Sequence, residues 1–200
     1  MEIASERRRG RPSQGARDAA VEAAHELFME RDYEEVSTEE ILERSGISRG
    51  ALYHHFPSKL DLFRAVYTAS EQRNIRLIAA GAAQASSPFD ALLDASRRYL
   101  ELAEGDEEFR RIALTQSRAV LGWEGWRAAA SELGIGVATA LVSAAIESRE
   151  LPELDPETMA LVLLGALIEA AMQIAVAEDR AAARQRSEGV IIEMLEGLRR

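Results

Sequence analysis

Arg49, Gly50 and Ala51, followed at once by Tyr53, His54 and His55, are the residues whose types and spacing could do chemistry, and that chemistry is recognition. An arginine guanidinium donates two parallel bonds to the O6 and N7 of guanine, and an alanine methyl packs on the methyl of thymine. Gly50 has no side chain, so the backbone there can approach a duplex closely. A glycine inside so short a helix costs about 1 kcal/mol against alanine, which ordinary core packing leaves unexplained. Thr38, Tyr53, His54 and Lys59 carry donors of the kind that hold phosphates, contacts that fix register without reading sequence.

Two short helices must position these groups. In Ser37–Lys59, STEEILERSGISRGALYHHFPSK, every boundary is marked. Ser37 and Glu40 form a capping box, each side chain satisfying a backbone N–H of the first turn. Ile41 and Leu42 anchor this helix, Gly46 permits the positive φ of a sharp turn, and Ile47 plugs the turn from inside. Ser48 caps a second helix, Arg49 to Phe56, that cannot pass Pro57 unbroken; Ser58 can cap a third from Lys59. Leu52 and Phe56, four apart, face inward together, which leaves Arg49, Gly50, Ala51, Tyr53 and His54 on or near the outer side. This is a helix-turn-helix, whose second helix enters the DNA major groove.

Thr38–Ile41 (T-x-x-I), Gly46–Lys59 (GISRGALYHHFPSK) and Leu62–Phe63 together resemble the DNA-binding domain of the TetR/AcrR family of transcriptional regulators, over about Gln14 to Arg73. The resemblance implies that Arg49, Gly50 and Ala51 face base edges. It implies that Ser37, Thr38, Ser48, Tyr53, His54, His55 and Lys59 face phosphates or brace the recognition helix. Leu42 and Ser45 stand where the family usually has alanine, so the first motif helix is expected to pack slightly differently.

The chain has 200 residues, enough for one domain or two small ones, and 47% are hydrophobic, enough for a real core. Only 6% are aromatic and alanine and leucine abound, which favours an all-α fold. With no cysteine there is neither a disulfide framework nor a thiolate metal site; His54 and His55, about 100° apart on a helix, are poorly placed to share a metal. No cofactor or metal is expected. No apolar run follows the first charges, so no secretory signal is expected and a cytoplasmic location fits. A net charge of −10 argues against general nucleic-acid binding. The cations are concentrated, however: Arg7, Arg8, Arg9 and Arg11 make residues 1–13 a basic arm directly before the motif, of the kind that reaches into a minor groove.

Ala16 to Arg31 carries Ala20, Ala23, Ala24, Leu27 and Phe28 at helical spacing and predicts the first helix of a three-helix DNA-binding domain, residues 14–73. A long helix from Lys59 to about Ala83 starts in that domain and leaves it, ended by Ala85-Ser86-Ser87-Pro88. Residues 74–200 then predict a helical effector-binding and dimerisation domain, bringing the total to about nine helices. Its segments run Phe89–Glu104, from Asp106 onward, Ala128–Glu150, Met159–Ala177 and about Ala181–Leu198. Ala119–Trp123, AVLGW, resembles the ligand-responsive half of one TetR/AcrR subgroup. Trp123 and Trp126 share a face, as core or as the wall of a pocket for a small apolar effector. Tyr99, Thr115, Gln116, Arg118, Glu169, Met172 and Gln173 are the other candidate pocket residues.

Met159–Ala177 is apolar nearly all round, which means buried or membrane-spanning. Glu169 and Gln173 interrupt it and no partner span exists, so no membrane is expected; one face belongs to its own domain and one to a second subunit. Leu161, Leu164, Gly165 and Ile168, with Val190, Ile191, Met194 and Leu198 from the last helix, are the expected homodimer interface, and the family resemblance also implies a four-helix one. No nucleophile–histidine–acid set or phosphate loop is visible, so no enzyme is expected. The pattern reads as a ligand-responsive repressor that binds a palindromic operator in double-stranded DNA as a homodimer. An activator of the same fold, or a helical protein-interaction module without DNA binding, is the alternative.

Overall fold

The computed structural model describes residues 13–82 and 84–199, all of whose regular structure is helical. Two compact units divide within one helix, between Val66 and Tyr67. The basic arm, with Arg7, Arg8, Arg9 and Arg11, lies outside the described residues.

The smaller unit is built from α1 (Ser13–Glu30), α2 (Thr38–Ser45), α3 (Arg49–His55) and the start of α4 (Lys59–Ala82). The alanine stripe of α1 lets helices approach closely: Ala20, Ala23, Ala24, Leu27 and Phe28 are buried with Ile41, Leu52, Phe56, Leu62 and Phe63. A 3₁₀ turn at Tyr33–Glu35 brings Tyr33 onto Phe63, ring centroids 5.4 Å apart, and Phe28 meets Phe63 edge-on at 5.2 Å. At the rim, Arg44 of α2 donates to Glu30 (2.9 Å) and Glu26 (3.1 Å) of α1. Ser45, one of the two departures from the family pattern, turns its hydroxyl back to the Leu42 carbonyl at 3.4 Å, and Leu42 is only half-buried.

In the larger unit α5 (Pro88–Gly105) is the central element, buried through Phe89, Leu92, Leu93, Ala95, Ser96, Leu100, Leu102 and Ala103. It packs against α7 (Gly136–Glu147), α8 (Pro156–Val176) and α9 (Arg180–Glu196). Local chemistry sets these starts: Ser87, Asp155 and Asp179 each accept a bond from a first-turn N–H, and Pro88 and Pro156 occupy the first helical positions. Between α5 and α7 the backbone is irregular. A wide π-type stretch, Phe109–Gln116, runs into α6 (Ser117–Ala130), which Gly122 interrupts at φ 67°, ψ 172°, and a second π-type stretch covers Ser131–Ile135. The single helix expected over Ala128–Glu150 is therefore not continuous in α-helical geometry, and its end falls at Glu147, where Arg149 adopts φ 63°.

α4 is continuous from Lys59 to Ala82, and the division between units lies about two turns earlier than the 73/74 boundary expected from sequence. Tyr67, Ser70 and Asn74 are already buried in the larger unit, although each carries a polar group.

Candidate DNA interface and effector cavity

The motif is assembled as its caps require. The Ser37 Oγ accepts from the Glu40 N–H at 3.2 Å while the Glu40 carboxylate accepts from the Ser37 N–H at 2.8 Å. The Ser37 N–H and hydroxyl, both donating to the Glu40 carboxylate, hold that carboxyl down to about 2 together with the Arg31 guanidinium at 2.7 Å. Gly46 ends α2 at φ 66°, and the Ser48 Oγ accepts from the Ala51 N–H at 3.2 Å to start α3. Leu52 is buried; Arg49, Gly50, Tyr53 and His54 are exposed and Ala51, His55 and Thr38 half-buried, so α3 presents one continuous outer face. His54 and His55 meet edge-on at 5.1 Å. Arg49 is not free: its guanidinium donates to the Glu39 carboxylate at 2.6 Å, which holds that carboxyl below its usual range.

Lys59 is held within its own unit. Its ammonium donates to the carbonyls of Tyr33 (2.8 Å) and Val36 (2.9 Å) and stands 4.1 Å from the centre of the Tyr33 ring. It ties the 3₁₀ turn to the start of α4, the bracing half of what the resemblance implies. A lysine that follows a helix-ending proline offers no sign in sequence of carbonyls folded over it from residues more than twenty positions away.

The larger unit holds a cavity of about 360 Å³. Its walls are apolar, from Ile75 and Ile78 of α4, Leu92 of α5, Phe109, Leu141 of α7 and Leu164 and Ile168 of α8. Of the candidate pocket residues, Tyr99, Arg118, Trp123, Trp126 and Glu169 line it; Thr115, Gln116, Met172 and Gln173 do not. Thr115 is exposed, Gln116 is buried elsewhere, and Gln173 sits outside, donating to the Glu169 carboxylate at 3.2 Å. The tryptophans serve as wall and as core at once: Trp126 is buried, Trp123 is 62% exposed, and their rings lie 5.6 Å apart. The residues missed are on α4. Tyr67, Glu71 and Asn74 line the cavity, and Asn74 Nδ2 donates to Glu71 Oε1 at 3.2 Å. Burial pushes the Glu71 carboxyl up to about 6, and burial followed by the Glu71 charge pushes both the Tyr67 and Tyr99 phenols up. A polar run such as Tyr67…Ser70-Glu71…Asn74 at helical spacing was the available signal.

The outward faces of α8 and α9 are also settled by packing. Ala160, Leu167, Ala171 and Ile174 face inward. Leu161, Leu164, Gly165 and Ile168, expected at the subunit interface, line the cavity, and of these Leu161 and Gly165 are also exposed. Val162 (65% exposed) and Val176 (75%) point away, beside exposed Gly165, Glu169 and Gln173. On α9, Val190 (60%), Met194 (56%) and, just past its end, Leu198 are exposed, whereas Ile191 is turned into its own unit with Ala183 and Leu195. α8 is long and apolar enough to cross a membrane by length and composition alone.

Comparison with known proteins also divides the chain in two. Residues 20–66 match the family described as bacterial regulatory proteins, tetR family, and residues 89–198 match the tetracyclin repressor-like C-terminal domain. The Transposon Tn10 TetC protein of Escherichia coli is 28% identical over 147 residues, 72% of this chain and 73% of that protein. The HTH-type transcriptional activator FasR of Mycolicibacterium smegmatis is 41% identical over 63 residues, 32% of this chain and 27% of that protein. Among solved structures, a TetR-family transcriptional regulator from Pectobacterium atrosepticum superposes with a TM-score of 0.82 at 29% identity, over 96% of this chain and 98% of that one.

Proposed function

The chain belongs to the TetR family and is a DNA-binding transcriptional regulator, and on that premise we propose that it is a ligand-responsive repressor acting as a homodimer on a palindromic operator. The observation that carries this reading is the composition of α4. The helix that begins against the recognition motif at Lys59 also supplies Tyr67, Glu71, Asn74, Ile75 and Ile78 to the cavity wall. An occupant of the cavity therefore touches the element that leads to the DNA-reading unit. To release DNA it must favour one conformer over another by a few kcal/mol of differential binding.

Dimerisation rests on the exposed apolar strip Val162, Val176, Val190, Met194 and Leu198, which a second copy of α8 and α9 would cover. Two recognition helices related by a twofold axis would then enter successive major grooves, and the operator would carry the same symmetry. In this reading Arg49, Gly50 and Ala51 meet base edges and Ser37, Thr38, Ser48, Tyr53, His54 and His55 meet phosphates or hold α3 in register. The protein works in the cytoplasm, needs no cofactor, catalyses no reaction and spans no membrane. Activation is the second reading, favoured by the activator among the relatives.

Selection of bound duplexes from a random pool is the test. A two-half-site motif with half-sites about one helical turn apart is expected. Failure to enrich any motif at low salt overturns the operator reading, and a reporter whose expression rises when the protein is present favours activation over repression. In the selected duplex, Arg49→Ala should cost about 1–3 kcal/mol and relax discrimination at one base pair per half-site. Equal loss on every sequence would exclude a base-reading role.

A further inference from the structure

Two arginines line the cavity, the exposed Arg127 and the more enclosed Arg118. Arg118, near the start of α6, stacks its guanidinium over the Trp126 ring at 4.3 Å from the ring centre, and its Nε is buried with no hydrogen-bond partner. No carboxylate among the described residues pairs with it. Glu71, the acid on the α4 wall, is held by Asn74. Glu169 accepts from Gln173 on an exposed face of α8. The residue is half-buried, and its enclosed Nε has lost water without gaining a partner, which is costly for a charged donor. Stacking on tryptophan occupies its flat face and leaves its N–H edge to donate, the geometry that takes a carboxylate by two parallel bonds. Tyr67 and Tyr99, whose phenols sense both Glu71 and Arg118, stand beside it as further donors.

We infer that the ligand of this cavity is a small apolar molecule bearing one carboxylate, with its anionic end on Arg118 and its hydrocarbon or aromatic body between Trp123, Trp126, Ile75, Ile78 and Ile168. The inference rests on the effector reading above and adds the chemical class. Glu71 is compatible with it: burial already lifts its carboxyl to about 6, so beside a second anion it takes up a proton and becomes a donor.

The test is calorimetric titration of the intact protein with octanoate and 4-phenylbutyrate against the matched alcohols, 1-octanol and 4-phenylbutanol. Each acid is expected to bind about tenfold or more tightly than its alcohol, the value of a charge-assisted pair. Arg118→Gln should bring the acid down to the level of the alcohol while alcohol binding changes by less than about twofold. Arg118→Lys, which keeps the charge and loses the fork, should fall between. Alcohols that match the acids, acid binding unchanged in Arg118→Gln, or no binding of either class overturns the inference. Should Arg118→Gln not fold, the acid-against-alcohol comparison on the unaltered protein decides. DNA release is measured separately on the selected duplex. Acids that bind without loosening DNA sink the effector reading and leave the ligand class standing; alcohols that bind equally and release DNA do the reverse.

Discussion

Arg49 and Glu39 meet at 2.6 Å on the surface proposed to read DNA, and in that reading the arginine must be released before it reaches a base. Both side chains are more than half exposed, and solvent screening leaves such pairs weak. Replacing Glu39 by Gln also removes a negative charge close to the phosphates. Glu39→Gln is expected to tighten operator binding by about two- to fivefold at low salt, measured by fluorescence anisotropy. A loss of affinity confined to particular half-site sequences would instead mean that Glu39 accepts from a cytosine amino group. Lys59 belongs to the opposite class. Its two bonds to carbonyls are charge-assisted and half-buried, so Lys59→Met should lower the stability of the smaller unit by about 2–3 kcal/mol, seen as an earlier thermal transition, with DNA affinity falling as a consequence of unfolding. Glu71 makes a pH prediction. Its folded-state pKa is raised from 4.5 to about 6, so the folded protein holds this proton more tightly than the unfolded chain. Its contribution to stability declines as pH rises from about 4.5 to about 6 and is constant above that. Glu71→Gln should therefore have a melting temperature that gains on the parent protein across that window, with Tyr67, Asn74, Tyr99 and Arg118 as the groups facing the change.

At the scale of elements, caps account for the smaller unit and irregular backbone for the larger. α2 and α3 are too short to be stable alone, and each is set by a serine at its start. That serine chemistry is local, and so is readable residue by residue. The cavity wall is different. Gly122, at φ 67° and ψ 172°, interrupts α6 just before Trp123 in a region of backbone space that is essentially glycine's own. A methyl group at Gly122 would meet nothing within 4 Å, so the cost of replacing it is conformational and not steric. Gly122→Ala should destabilise the larger unit by about 1–3 kcal/mol and shift tryptophan emission, since Trp123 can no longer hold its 5.6 Å approach to Trp126. An unchanged emission spectrum and melting curve would show that α6 accepts continuous helix there. No sequence periodicity announces the π-type stretches on either side, because a turn one residue wider than α leaves the apolar pattern only slightly out of phase.

For the whole molecule, the unpartnered strip on α8 and α9 makes the assembly prediction. Val162→Glu with Met194→Glu places charges on both outward faces while leaving Ala160, Leu167, Ile191 and Leu195 inside. The expected result is a folded monomer by sedimentation that has lost most of its operator affinity; a dimer that persists would mean that another surface joins the subunits. Much of this protein was legible from residues in a row: the all-helical class, the capped motif, the outer face of α3 and the long helix linking the two units all follow from capping, glycine and proline geometry, and a 3.6-residue period, which act within a few positions of each other. Three matters were decided only by tertiary structure. Lys59 is held by carbonyls distant in sequence, the polar face of α4 became cavity lining instead of solvated surface, and α8, apolar on every side, took its rotation from α5, α7 and α9. Each depends on which groups meet across space, and an all-round apolar helix or a lone lysine carries no phase of its own from which that meeting could be read.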